Sequence, residues 1–427
     1  MDIEKLHSLF LKCTHACTDT RSIQKNDMFF ALKGPNFNGN SYAVLALQKG
    51  ASYAVIDEKD YLNPEIPQIL LVEDSLKTLQ ELARYHRQKL GLKIISLTGS
   101  NGKTTTKELI NAVLSQKYTT VATKGNLNNH IGVPLTLLSM NEQTEIGVVE
   151  MGANHLKEIE FLCKIAQPDY GYITNFGKAH LEGFGSIEGV IKGKSELYEY
   201  LINNDKTVFI NADDQIQVKI LKNHNKKFSY GTNTTANQQI ELLNTHPFVS
   251  VKTDSTEIET QLVGVYNFHN IAAAISIGKY FNVPLEKIKQ AIKNYVPDNN
   301  RSQIIKRGNK EIILDAYNAN PSSMKAALDN FSVISDKSKA VILGDMFEVG
   351  ITAAQEHQDI ANYALKKEFK EIFLIGENFN KVDANNTKKF KSYEDFKNYL
   401  TTTDLKVKYI LIKGSRGMAL ERILTII

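Results

Sequence analysis

The chain has 427 residues, 23% of them charged and 42% hydrophobic, with a formal net charge of +4. That length makes room for about two to four domains, each with its own core. So small a charge, without a long basic run, does not suggest a nucleic-acid-binding surface, while mild basicity suits anionic substrates.

Residues 1–90 read as a small α/β unit. Met1-Asp2-Ile3-Glu4-Lys5 is charged and begins no cleavable signal, and no run approaches the about 18 apolar residues of a membrane span. Cys13 and Cys17 flank His15 without a second ligand cluster at zinc spacing, so they and Cys163 read as reduced, packed thiols. The expectation is a cytoplasmic enzyme with no membrane insertion. Asp19-Thr20-Arg21 is a polar turn before a strand in Asp27–Gly34. A short helix follows at Tyr42–Lys49, then strands at Ala51–Ile56 and Ile69–Val72, and Asp74-Ser75 opens a helix toward Arg87. Arg21 and Lys33 are surface charges on their own, and candidates for an anionic substrate beside a phosphate site.

From Lys89-Leu90-Gly91 to about Pro297 the chain alternates strands and helices, which predicts a mostly parallel sheet covered on both faces. Strands are expected at Ile94–Thr98, Ile146–Met151, Tyr170–Asn175 and Thr207–Asn211. The first runs into Thr98-Gly99-Ser100-Asn101-Gly102-Lys103-Thr104-Thr105-Thr106, ahead of a helix at Glu108–Leu114. A glycine-rich turn between strand and helix aims backbone N–H groups and the positive helix end at phosphate. Lys103 adds a point charge and Thr104 a hydroxyl for Mg²⁺, so a nucleoside triphosphate is expected. The turn is short: Leu97 stands where the standard loop carries its first glycine.

Sites in such sheets gather at the carboxyl ends of strands. That rule singles out Glu150 and Gly152, then Asn175 and His180, then Asp213 and Asp214. Thr104 and Glu150 would hold one Mg²⁺ against the phosphates, with His180 completing a metal pair. Lys192–Tyr198 reads as a charged helix face, and spacing alone does not mark Lys194. The Asn-, Thr- and Lys-rich stretch 222–256 predicts solvated loops and edge hairpins. Gly264–Asn270 leads into a helix at Ile271–Phe281, with Asn267 or Asn270 as its cap.

Asp298-Asn299-Asn300-Arg301 reads as a linker into a last unit, 298–427, with strands at Ile312–Ala316, Ala340–Gly344, Ile372–Gly376 and Tyr409–Lys413. Two turns there follow strands. Asp315-Ala316-Tyr317-Asn318-Ala319-Asn320-Pro321 offers asparagines, either as turn-formers or for a polar substrate. Lys413-Gly414-Ser415-Arg416-Gly417 forms a basic nest for an anion ahead of a helix near Met418.

In these residues the chain resembles the Mur ligase family. The resemblance is carried by Thr98–Thr105, Gly125–Pro134, Glu150–His155, Ile173-Thr174-Asn175 with Ala179–Glu182, Asp315–Met324, Leu343–Met346 and Lys413–Arg416, in the family's order. It implies three domains: an N-terminal UDP-binding α/β domain (1–90), a central P-loop ATPase-type domain (91–297) and a C-terminal Rossmann-like domain (298–427). It implies ATP-driven amide-bond formation, in which a UDP-muramoyl tripeptide carboxylate becomes an acyl phosphate that the amine of D-alanyl-D-alanine captures. The alternatives are another Mur-type or a folylpolyglutamate-type ligase, and, from another class, a nucleotide-switch NTPase.

The same resemblance assigns residues. Thr98 to Thr105, Asn270 (adenine), Arg301 (phosphate) and Asp315 (ribose) fall to ATP. Thr20, Arg21, Lys33, Thr123, Asn128 and Asn129 fall to the UDP-muramoyl substrate, although Asn38 and Asn40 stand where the family carries Asp and His. Asn318, Asn320, Lys413, Ser415 and Arg416 fall to the dipeptide. Lys103, Glu150, His180 and Lys194 are the catalytic set. Thr104, Glu150, His180 and Lys194 would hold two Mg²⁺, the lysine as a carbamate with Lys192 as its rival. His155 is a candidate base. A monomer acting on small molecules, without nucleic acid, is expected, with domain closure before chemistry.

Overall fold

The computed structural model describes residues 2–427. Strands and helices alternate, and three sheets follow one another along the chain. The first has four parallel strands in the order Ala16–Cys17, Met28–Phe30, Tyr53–Ile56, Ile69–Leu71. The second has seven, all parallel, ordered Gln238–Gln239, Lys227–Gly231, Thr207–Asn211, Tyr170–Ile173, Lys93–Thr98, Ile146–Glu150, Thr120–Ala122. The third has six, ordered Gln303–Arg307, Lys310–Asp315, Tyr409–Lys413, Lys339–Gly344, Glu371–Ile375, Lys388–Phe390, and only its first pair is antiparallel. The expected α/β class with a mostly parallel central sheet is what the chain adopts.

The strand Lys93–Thr98 explains the layering. Its side chains alternate between two faces. Ile95 and Leu97 meet Leu109, Ile110 and Ile271, from the helices Lys103–Leu114 and Asn267–Tyr280. Ile94 meets Val149, Ile173 and Leu197 on the other side. Both faces are dry, so the strand reads as a continuous apolar run rather than an alternating one. The second core continues unbroken into the first sheet, to Phe30, Met28 and Leu6, through Leu79 and Leu82 of the helix Ser75–Leu90. Asp74 caps that helix by accepting from Lys77 N–H at 2.8 Å.

Lys93–Thr98 lies between Tyr170–Ile173 and Ile146–Glu150, where the strand order reverses. Such a switch point opens a crevice at the carboxyl ends of the strands. The third sheet repeats the device: Tyr409–Lys413 lies between Lys310–Asp315 and Lys339–Gly344, and Asp315 and Lys413 are register partners.

Some local expectations are corrected. The polar stretch 222–256 contributes the strand Lys227–Gly231 to the central sheet, anchored by buried Tyr230, besides a three-stranded antiparallel sheet. The strand expected across Asp27–Gly34 ends at Phe30, and Lys33–Gly34 turns back onto Phe37–Asn38. The helix expected near Met418 is replaced by 3₁₀ turns, interrupted at Ala419 by a φ of 46°. Among the described residues no helix is long and apolar enough to cross a membrane.

Candidate active site

The loop after Lys93–Thr98 depends on two glycines. Gly99 has φ 143°, and a Cβ there would fall 2.0 Å from Thr174 Oγ1; at Gly102, φ 78°, it would fall 2.6 Å from Asn270 Oδ1. Between them Ser100 exchanges two 2.9 Å bonds with Gly177, one from each partner. Asn101 N–H donates to Asn175 Oδ1 at 3.1 Å. The loop is thereby pinned to the end of the neighbouring strand, with the helix Lys103–Leu114 beginning directly behind it.

Lys103 folds its amine back onto the carbonyls of Gly99 (2.7 Å) and Ser100 (3.3 Å). Desolvation lowers its pKa and Arg301 adds to that, while Glu150 and Glu348 pull it back up. Thr104 donates to Glu150 Oε1 at 3.3 Å, and Asn128 donates to the same oxygen at 2.8 Å. Glu150 Oε2 is buried without a partner. A buried anionic oxygen left open beside a hydroxyl is a donor set for a hard cation that takes its remaining ligands from phosphate and water.

The other residues named for metal are held elsewhere. His180 Nδ1 lies 2.5 Å from Glu348 Oε2, a carboxylate contributed by the last sheet's side of the cavity. Lys194 is fully buried in the helix Ile187–Asn203 and donates to Ala153 O at 2.9 Å. Its pKa is driven well below the ordinary lysine value by burial and, secondarily, by Lys103. Its rival Lys192 is exposed. Among the described residues no three His, Cys, Asp or Glu side chains form a ready metal cage, so Thr104 and Glu150 are the pair whose geometry suits an ion.

Asn270 does not cap its helix. The helix starts at Asn267, with Tyr266 as N-cap, and Asn270 lies inside it, accepting from Thr106 Oγ1 at 3.0 Å and donating to Asn267 at 2.8 Å. Its side chain therefore abuts the nucleotide loop.

The last sheet supplies the opposite wall. Lys413, 2% exposed, donates to Asp315 Oδ2 at 2.6 Å and to Asn318 O at 3.3 Å. Asn320 starts the helix Pro321–Ser332 with a capping box and donates to Asn101 Oδ1 at 2.8 Å. Lys178 N–H donates to Ser322, and its amine pairs with Glu356 at 2.6 Å. The last unit is thus closed against the nucleotide loop.

One cavity of about 1330 Å³ runs between these walls. It is lined by Ser100 to Thr105, Asn128, Asn129, Glu150, His180, Asn270, Arg301, Asp315, Asn318, Asn320 and Lys413. Other expected residues stand outside it. Thr98 is buried at the end of its strand, and Gly99 packs closely against Thr174. Thr123 is buried behind Glu150, accepting its N–H at 3.0 Å. Ser415 is a buried brace that accepts from Phe347 N–H at 2.8 Å, and Arg416 is an exposed side chain 5.5 Å from the Tyr317 ring. His155 is exposed beside Glu158. Asp214 caps the helix Gln215–Ile220, and Asp213 accepts from Thr232. Thr20, Arg21 and Lys33 lie away from this cavity. Arg21 forks onto Asp19, and Lys33 faces Asp57 at 3.2 Å and Glu58 at 3.4 Å rather than an open anion site. Asn40 bridges the same Asp57 at 2.8 Å.

Glu348, Tyr317 and the Lys178–Glu356 pair were not singled out from the sequence. Glu348 and Tyr317 sit in or next to strand-end turns whose positions were visible, but nothing local tells which side chain of a turn faces inward.

Residues 97–278 match the Mur ligase middle domain, and residues 300–416 match the Mur ligase, glutamate ligase domain. The UDP-N-acetylmuramoyl-tripeptide–D-alanyl-D-alanine ligase of Bacillus subtilis (strain 168) is 35% identical over 95% of this chain and 91% of its own. The enzyme of that name from Escherichia coli (strain K12) is 31% identical over 95% and 92%. Among solved structures, MurF from Acinetobacter baumannii superposes with a TM-score of 0.86 at 29% identity, covering 99% of this chain and 97% of that one. MurF ligase from Thermotoga maritima in complex with ADP shares the fold, with a TM-score of 0.83 at 24% identity over 98% and 97%. The chain belongs to the Mur ligase family. Within that family it is an ATP-dependent ligase.

Proposed function

We propose that this enzyme joins D-alanyl-D-alanine to UDP-N-acetylmuramoyl-tripeptide, the two substrates its relatives' names print, with ATP converted to ADP and phosphate. The observation that carries the reading is the single cavity joining the nucleotide loop to the Asp315–Lys413 turn. It gives a phosphorylated intermediate and an incoming amine one enclosed space.

The tripeptide carboxylate attacks the γ-phosphorus and ADP leaves; the dipeptide amine then attacks the acyl carbon, phosphate leaves and the amine gives up a proton. Such chemistry needs positioning and charge neutralisation more than covalent help from protein. Loop N–H groups and Lys103 hold the β- and γ-phosphates, Arg301 reaches them from the linker, Asn270 takes the adenine and Asp315 the ribose. Asn128 and Asn129 face the muramoyl substrate, and Asn318, Asn320 and Lys413 the dipeptide. Thr104 and the open oxygen of Glu150 would hold Mg²⁺, which supplies charge neutralisation on the phosphates. His180 and a carbamate of Lys194 would serve a second ion. Burial shifts the Lys194 amine toward its neutral form, the form that reacts with carbon dioxide, which supports Lys194 over exposed Lys192. Residues 1–90 take the UDP end, and the enzyme works as a cytoplasmic monomer without nucleic acid.

Phosphate release measured with UDP-muramoyl tripeptide, with and without D-alanyl-D-alanine, tests the reading. Release that rises with the dipeptide, together with an amide product, is expected. Release indifferent to the dipeptide would return the chain to the nucleotide-switch alternative.

A further inference from the structure

Arg301 is an unusual cation. Its side chain forms no ion pair or hydrogen bond among the described residues, and its Nε is buried without a partner. Yet it lines the cavity and its charge bears on Lys103. Two positive groups facing one space, in a cavity whose carboxylates include Glu150 and Glu348, leave an unpaired guanidinium there for an anion.

A guanidinium on a long, flexible stem needs something to aim it, and here an aromatic ring lies against it. The Arg301 guanidinium carbon stands 3.6 Å from the centroid of Tyr317. That is stacking distance, and planar guanidinium groups stack well on aromatic faces. The backbone that carries the ring is tied to the linker: Tyr317 N–H donates to Asn300 O at 3.2 Å, joining the turn to the residue before Arg301. Among the described residues the Tyr317 hydroxyl makes no hydrogen bond, whereas the face of the ring meets the guanidinium.

We propose that Tyr317 is a positioning residue for the reaction, its ring aiming the Arg301 guanidinium at the terminal phosphate of the bound nucleotide. The inference rests on the reading of Arg301 as a phosphate contact. Stacking blocks the side-chain conformations that would carry the guanidinium out to solvent, and leaves its N–H edge directed into the cavity. The ring does not touch the reacting atoms.

Binding of a non-hydrolysable ATP analogue and of ADP, each measured by calorimetry with Mg²⁺, tests this. The wild-type enzyme is expected to prefer the triphosphate. Tyr317→Leu should lose about tenfold of that preference while binding ADP and melting as before. Tyr317→Phe keeps the face and should keep the preference. Arg301→Ala separates the two layers of the argument. If Arg301→Ala loses the preference and Tyr317→Leu keeps it, the role of Tyr317 is overturned while that of Arg301 stands. If Arg301→Ala keeps the preference, both fall. Equal losses for the two nucleotides in Tyr317→Leu, or Phe behaving as Leu, would also overturn the proposal.

Discussion

Asn320 donates its side-chain nitrogen to Asn101 Oδ1 at 2.8 Å, while its side-chain oxygen accepts from Ser323 N–H at 2.9 Å. One end of a single amide bridges to the nucleotide loop and the other starts a helix. Asn320→Asp keeps the cap and removes the bridge, so it should melt like the wild type and raise KM for ATP about fivefold. Asn320→Ala loses both and should cost about 1 kcal/mol of stability besides. Thermal melts run beside steady-state kinetics check the pair; a destabilised Asp variant with unchanged kinetics would contradict the division.

Glu150 holds a buried charge with one oxygen unsatisfied. Such a group costs stability and is kept for chemistry. Glu150→Gln preserves its size and an acceptor for Asn128 but withdraws the charge. The expected result is a kcat lower by about a thousandfold at saturating Mg²⁺, with a melting temperature equal to or above the wild type. Phosphate release and a thermal melt decide it, and a marked fall in melting temperature would show that the charge serves the fold.

Lys194 has its pKa pushed well below 10.5 by burial. In the window below 10.5 the unfolded chain therefore binds a proton that the folded chain refuses. Stability from this group is full above that value and is lost as pH falls toward the folded pKa. Lys194→Met should flatten the alkaline end of the stability–pH curve and abolish ligation. Enzyme depleted of bicarbonate should lose activity and regain it when bicarbonate returns; indifference to bicarbonate would remove the carbamate from the mechanism.

His7 and His86 form a buried pair beneath the first sheet. Their rings meet at 2.9 Å, and His86 Nε2 lies 2.9 Å from Met140 O. A carbonyl only accepts, so His86 carries its proton on Nε2 and takes the His7 proton on Nδ1. Burial lowers both pKa values below 6.5. The unfolded chain gains protons first as pH drops, so stability should fall below about pH 6.5, by up to about 1.4 kcal/mol per pH unit for each ring. Urea denaturation across that range should steepen for the wild type and flatten for His86→Gln. Parallel curves would assign the loss to other groups.

Much of the central sheet was legible because Lys93–Thr98 and its neighbours are buried on both faces, which leaves a continuous apolar run in the chain. The strand Lys227–Gly231 was hidden because it lies near the sheet's edge amid asparagines and lysines, with Tyr230 as its one fully buried large side chain. Helix starts fared unevenly. Asp74 announces a cap, whereas Asn270 looks like one and is taken by Thr106, a residue 164 positions away in sequence. The strand, glycine turn and helix around Thr98–Thr106 could be read from local order alone. The partners that wall in the site could not, since Glu348 meets His180 across 168 positions and the pairing exists only once two sheets have docked.

Neither Gly99 nor Gly102 leaves space for a Cβ, and the residues between them, Ser100 and Asn101, are committed to Gly177, Asn175 and Asn320. No position in the turn is free to drift. An inhibitor that reads the backbone of this loop would face a surface that mutation cannot remodel without giving up contacts the fold itself requires, so escape variants should arise elsewhere in the cavity.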